Sequence, residues 1–139
     1  MPFALTIQHI HHLDRRSFRF LQVLGCGEYG SVVCAEKRSS SNQATRVALK
    51  LTECVETFLA ELQIFNLLGS HPNIVGQRGS FSDRFIHVIE LEYLTGQTLL
   101  DFILAHGSLR ADVARQYFPH LVPGMLHPPD VANVAPRAI

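Results

Sequence analysis

The sequence predicts an α+β domain: a five-stranded antiparallel sheet with one packed helix, followed by two further helices. Three observations support this. Three short strand-like segments follow one another near the N-terminus, separated by glycines or polar residues. A stretch with helical spacing of apolar residues comes next, and two more strand-like segments follow it. Consecutive short strands with tight turns favour an antiparallel sheet, and 139 residues suffice for one hydrophobic core.

The N-terminal third contains the first three strands. Residues 1–17 are interpreted as a leader of uncertain order. Alternating apolar and polar residues predict a strand from Phe18 to Val23, and a second strand is predicted from Ser31 to Glu36. The polar segment from Lys37 to Thr45 has no apolar anchor, which predicts an exposed, mobile loop. The third strand is predicted from Arg46 to Leu51.

The rest of the pattern consists of a helix, two short strands and two further helices. These are Val55–Leu68, Ile74–Val75, Phe85–Leu91, Thr98–Ala105 and Asp112–Val122. Gly69 and Pro72 follow the first of these helices and are typical stop signals. Pro119 and Pro123 fall inside the last helix, where an interior proline costs about 3 kcal/mol or more.

Composition excludes several classes of function. Twelve basic and 12 acidic residues balance, so bulk electrostatic binding to nucleic acid or membrane is not expected. No apolar run reaches the length of a membrane span, and the three cysteines lack metal-type spacing. We therefore expect reduced thiols and a cytoplasmic protein. His9, His11 and His12 have no neighbouring cysteine or carboxylate cluster, so we expect polar side chains there and no metal site.

The first motif that indicates chemistry is the glycine segment from Leu24 to Val32. Gly25, Gly27 and Gly30 would let the backbone fold closely over a phosphate chain, because no β-carbon blocks the approach. The same spacing could open a dinucleotide-binding unit, but a helix must then follow at once, whereas here a strand follows. A purely structural, glycine-rich hairpin is the other alternative.

The second and third motifs are a lysine and a glutamate. In Val47-Ala48-Leu49-Lys50, Ala48 and Lys50 point to the same face of a strand. The small residue leaves room for a flat base, and the lysine can reach phosphate oxygens; the alternative is a surface lysine on an edge strand. Glu61 lies on a largely apolar row of the predicted helix, where a carboxylate needs a cationic partner such as Lys50. Alternatively, Glu61 borders solvent.

Taken in this order, with His71-Pro72-Asn73-Ile74-Val75 and Glu92-Tyr93 after them, these motifs resemble the protein kinase family from about Phe18 to about Met125. The resemblance implies the fold of a kinase small lobe followed by two helices of a truncated large lobe. The implied divisions are a leader and three further parts: 1–17, 18–95 (small lobe), 96–126 (hinge exit and incomplete large-lobe helices) and 127–139 (irregular tail).

The resemblance also implies an ATP site. The glycine segment would cover the phosphates, with Tyr29 at its tip, while Val32 and Ala48 would sandwich the adenine. Lys50 would hold the α- and β-phosphates while paired with Glu61, and these two would be the catalytic residues present. The implied ATP-binding residues are Leu24, Gly25, Cys26, Gly27, Glu28, Tyr29, Gly30, Val32, Ala48, Lys50, Leu91, Glu92 and Leu94.

In the hinge, the resemblance makes Leu91 the gatekeeper and brings the backbones of Glu92 and Leu94 to the adenine edge. Thr98 would approach the ribose. Gln77 departs from the family pattern, which has an apolar residue there that stacks on the helix. A polar group at this position would need a partner, so the position of the helix is in question.

A second departure concerns the catalytic loop. Neither His-Arg-Asp nor Asp-Phe-Gly occurs in the sequence. The nearest imitation, His127-Pro128-Pro129-Asp130 with Asn133, has the wrong spacing and two prolines, and we reject it. The chain thus lacks a base for the substrate hydroxyl and the protein ligands for magnesium that the family uses.

The sequence therefore predicts the ATP-binding portion of a protein serine/threonine kinase. We expect this chain by itself to have no kinase activity. The preference for serine/threonine over tyrosine rests on the pattern of the last helix. The alternative is a non-catalytic, kinase-like fragment that regulates or binds a protein partner through the exposed helix 112–122. An exposed apolar stripe is typical of an interface.

Overall fold

The structure, a computed structural model, describes residues 3–125. In chain order its elements are α1 (Ile7–Arg15), β1 (Phe18–Gly27), β2 (Gly30–Arg38), β3 (Ala44–Thr52), α2 (Val55–Leu68), β4 (Gln77–Ser82), β5 (His87–Glu92), α3 (Leu99–His106) and α4 (Ala111–Met125). The five strands form one antiparallel sheet in the order β1-β2-β3-β5-β4. The predicted five-stranded sheet is confirmed.

The described residues divide into two compact units. The first contains residues 3–66 and Gly76–Tyr93, and thus the whole sheet, α1 and most of α2. The second contains Leu67–Val75 and residues 94–125, and thus α3 and α4. The sheet of the first unit positions the candidate site.

Strand register assigns each side chain to one of two faces, because directly opposed residues on antiparallel strands point the same way. One face, called the front face here, carries the rows Val32–Lys50–Ile89 and Cys34–Ala48–Leu91. The other, the back face, carries the rows Ser31–Leu51–Val88, Val33–Leu49–Glu90 and Ala35–Val47–Glu92. The prediction that Ala48 and Lys50 share a face is confirmed.

The back face holds the main hydrophobic core, and α1 covers it. Leu13 of α1 is fully buried in one cluster with Phe18 and the apolar back-face residues. Thr6 caps the helix: its side chain accepts a hydrogen bond from the backbone N–H of His9, and the His9 ring accepts one from the backbone N–H of Thr6. The interpretation of residues 1–17 as a leader of uncertain order is therefore wrong for its described part, because a capped helix and a buried leucine fix it on the sheet.

Helix α2 packs on the front face and has the bounds that the sequence predicted. Its Phe58 is buried and stacks on the ring of His87, with ring centroids 5.1 Å apart. The carboxylate of Glu56 in the first turn has a lowered pKa, because its own backbone N–H and the Cys54 thiol donate to it. The chain leaves the helix at Gly69, whose φ of +63° favours glycine.

Two predicted connections differ from the structure. Both ends of the predicted loop 37–45 belong to strands, and only residues 39–43 form the short hairpin loop between β2 and β3. Lys37 belongs to β2, and its ammonium donates to both carboxylate oxygens of the buried Glu90 at 3.0 Å. No strand forms at Ile74–Val75, where the chain turns. The fourth strand is β4, which begins at Gln77; just before it, the Gly76 carbonyl accepts from the backbone N–H of Glu92 on β5, and the Gly76 N–H donates to the Glu92 carboxylate.

In the second unit, Thr98 caps α3 and Gly107 ends it, so the helix lies within one residue of the predicted Thr98–Ala105. Helix α4 continues through Pro119 and Pro123 to Met125. Apolar side chains of α4 are exposed: Tyr117, Phe118, Leu121, Val122 and Met125. Among residues 3–125, no helix has the length and apolar character required to cross a bilayer. The predicted tail 127–139 and the motif at His127 lie outside the described residues.

Candidate functional site

The glycine segment forms the tip of the β1–β2 hairpin. Strand pairing continues as far as Gly27 opposite Gly30, so Glu28 and Tyr29 alone make the turn. Next to it, Ser31 donates a hydrogen bond from its hydroxyl to the sulfur of Cys26 at 3.4 Å. The segment is therefore an ordered, narrow hairpin whose tip lies over the front-face end of β3.

The three glycines of the motif lack a side chain for different reasons. A β-carbon on Gly30 would lie 2.2 Å from the carbonyl oxygen of Leu51, so the fold itself requires glycine there. A β-carbon on Gly25 would meet no atom within 4 Å, and one on Gly27 would lie 3.8 Å from the nearest atom. The fold tolerates a side chain at Gly25 and Gly27, and their open space is available to a ligand.

Lys50 and Glu61 form an ion pair across the front face. The ammonium of Lys50, on β3, donates to a carboxylate oxygen of Glu61, on α2. The two side chains are 29% and 22% exposed, so the ion pair is partly buried and partly accessible to solvent. The predicted pairing is confirmed, and the alternative of a lone surface lysine is wrong.

The hairpin tip and the front face of the sheet enclose a shallow cleft. Its volume is about 310 Å³, and it is lined by the hairpin tip, Val32 and Lys50. Ala48 and Leu91 are buried in the neighbouring row of the same face, and a small residue thus lies beside the lysine at the floor of the sheet. The cleft combines a hairpin that leaves room for a ligand, an apolar wall and one cation, a combination suited to a phosphorylated ligand with a flat apolar part.

The predicted hinge residues Glu92, Leu94 and Thr98 lie in different parts of the structure. The backbone N–H of Glu92 donates to the carbonyl of Gly76 at 2.9 Å, and its carboxylate accepts from the backbone N–H of Gly76 at 2.9 Å. Leu94 belongs to the second unit, where its side chain is exposed. Thr98 is engaged in capping α3 through Asp101. The roles assigned to Leu94 and Thr98 stay predictions.

Gln77, the departure from the expected pattern, begins β4 opposite Leu91. It is half-buried, and its side chain forms no hydrogen bond with another of the described residues. A polar group thus lies beside the gatekeeper position on the face where α2 packs. The prediction that it weakens the seating of α2 stays a prediction.

Sequence reasoning missed one contact close to this site. The ring of His9, on α1, donates to the carboxylate of Glu53 at 3.0 Å, and Glu53 lies between β3 and α2. A second histidine of α1, His12, pairs with Asp83 in the β4–β5 turn at 3.0 Å. The signal available was Thr6 followed three residues later by His9, but a capping box normally has Glu or Gln in that position. Both histidines are thus anchors of α1.

Comparisons with known proteins agree with this geometry. A model of the protein kinase domain matches residues 18–128. Calcium-dependent protein kinase 24 of Oryza sativa subsp. japonica is 32% identical over 114 residues, which cover 78% of this chain and 22% of that protein. The probable serine/threonine-protein kinase KIN1 homolog of Enterocytozoon bieneusi (strain H348) is 30% identical over 125 residues, which cover 86% of this chain and 20% of that protein.

Among solved structures, the crystal structure of Rad53 1-466 in complex with AMP-PNP matches with a TM-score of 0.68 at 23% identity, covering 81% of this chain and 30% of that one. The chain spans about a fifth of the length of the two curated relatives. Because the family match covers most of the sequence and the solved structure has the same fold, this chain belongs to the protein kinase family, of whose domain it carries the small lobe and the beginning of the large lobe.

Proposed function

We propose that the front-face cleft binds ATP, as part of a protein serine/threonine kinase that transfers phosphate from ATP to protein hydroxyls. One observation carries this proposal: Lys50, which is paired with Glu61, lines a cleft under a hairpin whose Gly25 and Gly27 leave open space. The serine/threonine class is supported by the similarity to the probable serine/threonine-protein kinase KIN1 homolog.

Different residues of the cleft would contact the phosphate chain and the base of ATP. Glu61 holds the ammonium of Lys50 over the cleft, so this cation needs no reorganisation to meet the phosphate oxygens. The open backbone at Gly25 and Gly27 lets the phosphate chain lie close to the hairpin. Val32 and the buried Ala48 would contact the flat base.

The same residues do not complete a kinase active site. The family holds magnesium with an aspartate of Asp-Phe-Gly and an asparagine of the catalytic loop, and neither motif is in the sequence. Within residues 3–125 no group of three or more His, Cys, Asp or Glu side chains could hold a metal ion. These residues therefore do not fit magnesium, and we propose that residues 1–139 alone bind ATP weakly and transfer no phosphate.

ATP binding is tested by titrating the chain with the non-hydrolysable analogue AMP-PNP. Lys50→Met should weaken binding about tenfold or more, because a hydrogen bond between charged groups is lost. Arg46→Met, which removes the same charge from an exposed position on β3, is the matched control and should leave binding within about twofold. Equal affinities of wild type and Lys50→Met would contradict the proposal.

Phosphate transfer is tested separately with labelled ATP, magnesium and a generic protein substrate. Residues 1–139 should give no transfer above the Lys50→Met background. Clear transfer above that background would show that the missing motifs are not needed.

A second candidate function is a non-catalytic module that binds a protein partner. The exposed apolar side chains of α4, among them Phe118 and Met125, favour it. The AMP-PNP titration discriminates between the two candidates: a folded chain without Lys50-dependent binding favours the module.

A further inference from the structure

Helix α1 lies outside the part of the chain that matches the kinase domain, which begins at Phe18. It is nevertheless built into the first unit, since Leu13 is fully buried in the back-face core. Two polar contacts reach from α1 to the rest of that unit: His9 to Glu53 and His12 to Asp83. His9 contacts the junction between β3 and α2, whereas His12 contacts the β4–β5 turn. Loss of the two contacts should therefore affect the proposed site differently.

The His9 anchor is a satisfied, buried contact. The residue is 4% exposed, and the ring of Phe3 stacks on its imidazole with centroids 5.2 Å apart. The backbone N–H of Thr6 donates to Nδ1 of His9 at 3.1 Å, so Nδ1 is the acceptor nitrogen. Nε2 therefore carries the proton and donates to the carboxylate of Glu53 at 3.0 Å. The capping interaction thus fixes both the orientation and the tautomer of the ring.

Glu53 is the residue through which this anchor meets the ATP site. It lies three residues after Lys50 and directly before the turn into α2, which carries Glu61. The junction is short: the backbone N–H of Cys54 donates to the Thr52 hydroxyl at 3.1 Å, and helical bonding has begun by Phe58. A constraint on Glu53 therefore limits how α2 can shift or rotate relative to β3.

His12 is attached elsewhere. Its partner Asp83 lies in the β4–β5 turn, and its ring packs against Phe85 with centroids 5.2 Å apart. No element that carries Lys50 or Glu61 takes part in this contact. Loss of the His12 anchor should loosen α1 and leave the β3–α2 junction in place.

We propose that His9 is a positioning residue for the proposed ATP site: through Glu53 it holds the start of α2, and thereby Glu61, in register with Lys50. The inference rests on the proposed function only for its effect on ATP; its structural part concerns the junction itself. Helix α1 is thus a brace that acts on the front face from the back of the sheet.

The first test measures amide hydrogen exchange of residues 54–61 in the nucleotide-free chain. His9→Ala should accelerate exchange there about tenfold, because a charge-assisted hydrogen bond that holds the segment is lost. His12→Ala should change it less than about twofold while accelerating exchange in α1. Equal acceleration of residues 54–61 in the two variants would overturn the proposal, since α1 would then act only as a cover of the core.

Two further variants keep the test decisive if His9→Ala does not fold. Glu53→Ala removes the same bond from its exposed end, where no cavity results, and should accelerate exchange of residues 54–61 as His9→Ala does. His9→Gln should restore slow exchange to within about twofold of wild type, because glutamine is a regular capping-box residue and its amide can still donate. Wild-type exchange in Glu53→Ala would overturn the proposal.

A separate experiment tests whether His9 affects nucleotide binding. AMP-PNP affinity should fall about threefold or more in His9→Ala and remain unchanged in His12→Ala, since the Lys50–Glu61 geometry is disturbed only in the former. If Lys50→Met does not alter binding but the exchange results hold, the proposed ATP site fails and the brace stands. If Lys50→Met weakens binding while His9→Ala exchanges like wild type, the brace fails and the site stands.

Discussion

The two faces of the sheet differ in what fills them. On the back face, α1 closes a core in which Leu13, Val33, Leu49, Ile86 and Val88 have no exposed surface. On the front face, the row that contains Lys50 borders an open cleft, and α2 is held by the Phe58–His87 stack and the ion pair with Glu61.

Under the proposed function, this difference separates the residues that stabilise the fold from those that bind the ligand. Burial of apolar surface is the main source of folding free energy, and most of it lies on the back face. The front face instead carries the Lys50–Glu61 ion pair and the open backbone at Gly25 and Gly27, which a ligand in the cleft could contact. Substitutions on the two faces should therefore alter different measured quantities.

The largest effect is expected for Leu49→Ala on the back face. Leu49 is fully buried, so its truncation should lower the free energy of unfolding by about 3 kcal/mol. Val32→Ala, at a partly exposed front-face position, should cost about 1 kcal/mol. Urea denaturation measures both. Similar losses for the two variants would break the contrast between the faces.

The next effect concerns two glycines of one motif. Gly30→Ala would place a β-carbon against the carbonyl of Leu51 and should cost about 2 kcal/mol of unfolding free energy. Gly25→Ala meets open space and should change stability by less than about 0.5 kcal/mol. Thermal unfolding of the pair decides: if Gly25→Ala is the more destabilising, the assignment of Gly25 to ligand space is wrong.

A smaller effect of opposite sign is expected for Gln77→Leu. Gln77 is half-buried beside Leu91 without a side-chain partner among the described residues, so an apolar side chain should raise the unfolding free energy by about 0.5 to 1 kcal/mol. Arg78→Leu, at the exposed neighbouring position, serves as the control in urea denaturation. A loss of stability in Gln77→Leu would show that the amide has a favourable role on the front face.

The smallest effect is a pH dependence at the anchor of α1. The backbone N–H of Phe85 donates to Asp83 at 3.1 Å and, with the nearby His12, holds the pKa of this carboxyl below its ordinary 3.8. Because the folded pKa is lower than the unfolded one, the stabilisation is present above pH 3.8 and is lost as the pH falls through the folded value. Asp83→Asn should flatten this acid-side slope in urea midpoints. An unchanged slope would show that other carboxylates account for it.

The parts of the site that were predictable from sequence are those set by local periodicity. A strand places Ala48 and Lys50 on one face whatever surrounds it, and the helical spacing of 55–68 left Glu61 on an apolar row where a cation was needed. Order along the chain then made the pairing of Lys50 with Glu61 the natural expectation.

The parts that were missed depend on contacts distant in sequence. Helix α1 is short, and His9 becomes a buried anchor only because Glu53, far along the chain, meets it. Strand β4 contains few apolar residues and is defined by its pairing with β5, whereas the apolar pair Ile74–Val75 suggested a strand where the chain turns. Tertiary contacts outweighed local propensity in both cases.

The burial of Leu13 also bears on how the protein should be produced in the laboratory. A polypeptide trimmed to the matched domain, starting at Phe18, would lose α1 and uncover the apolar floor formed by Val33, Leu49 and their neighbours. Uncovered apolar surface on a sheet promotes aggregation. The practical start of the folding domain is therefore upstream of Thr6, where the helix that shields this floor is capped.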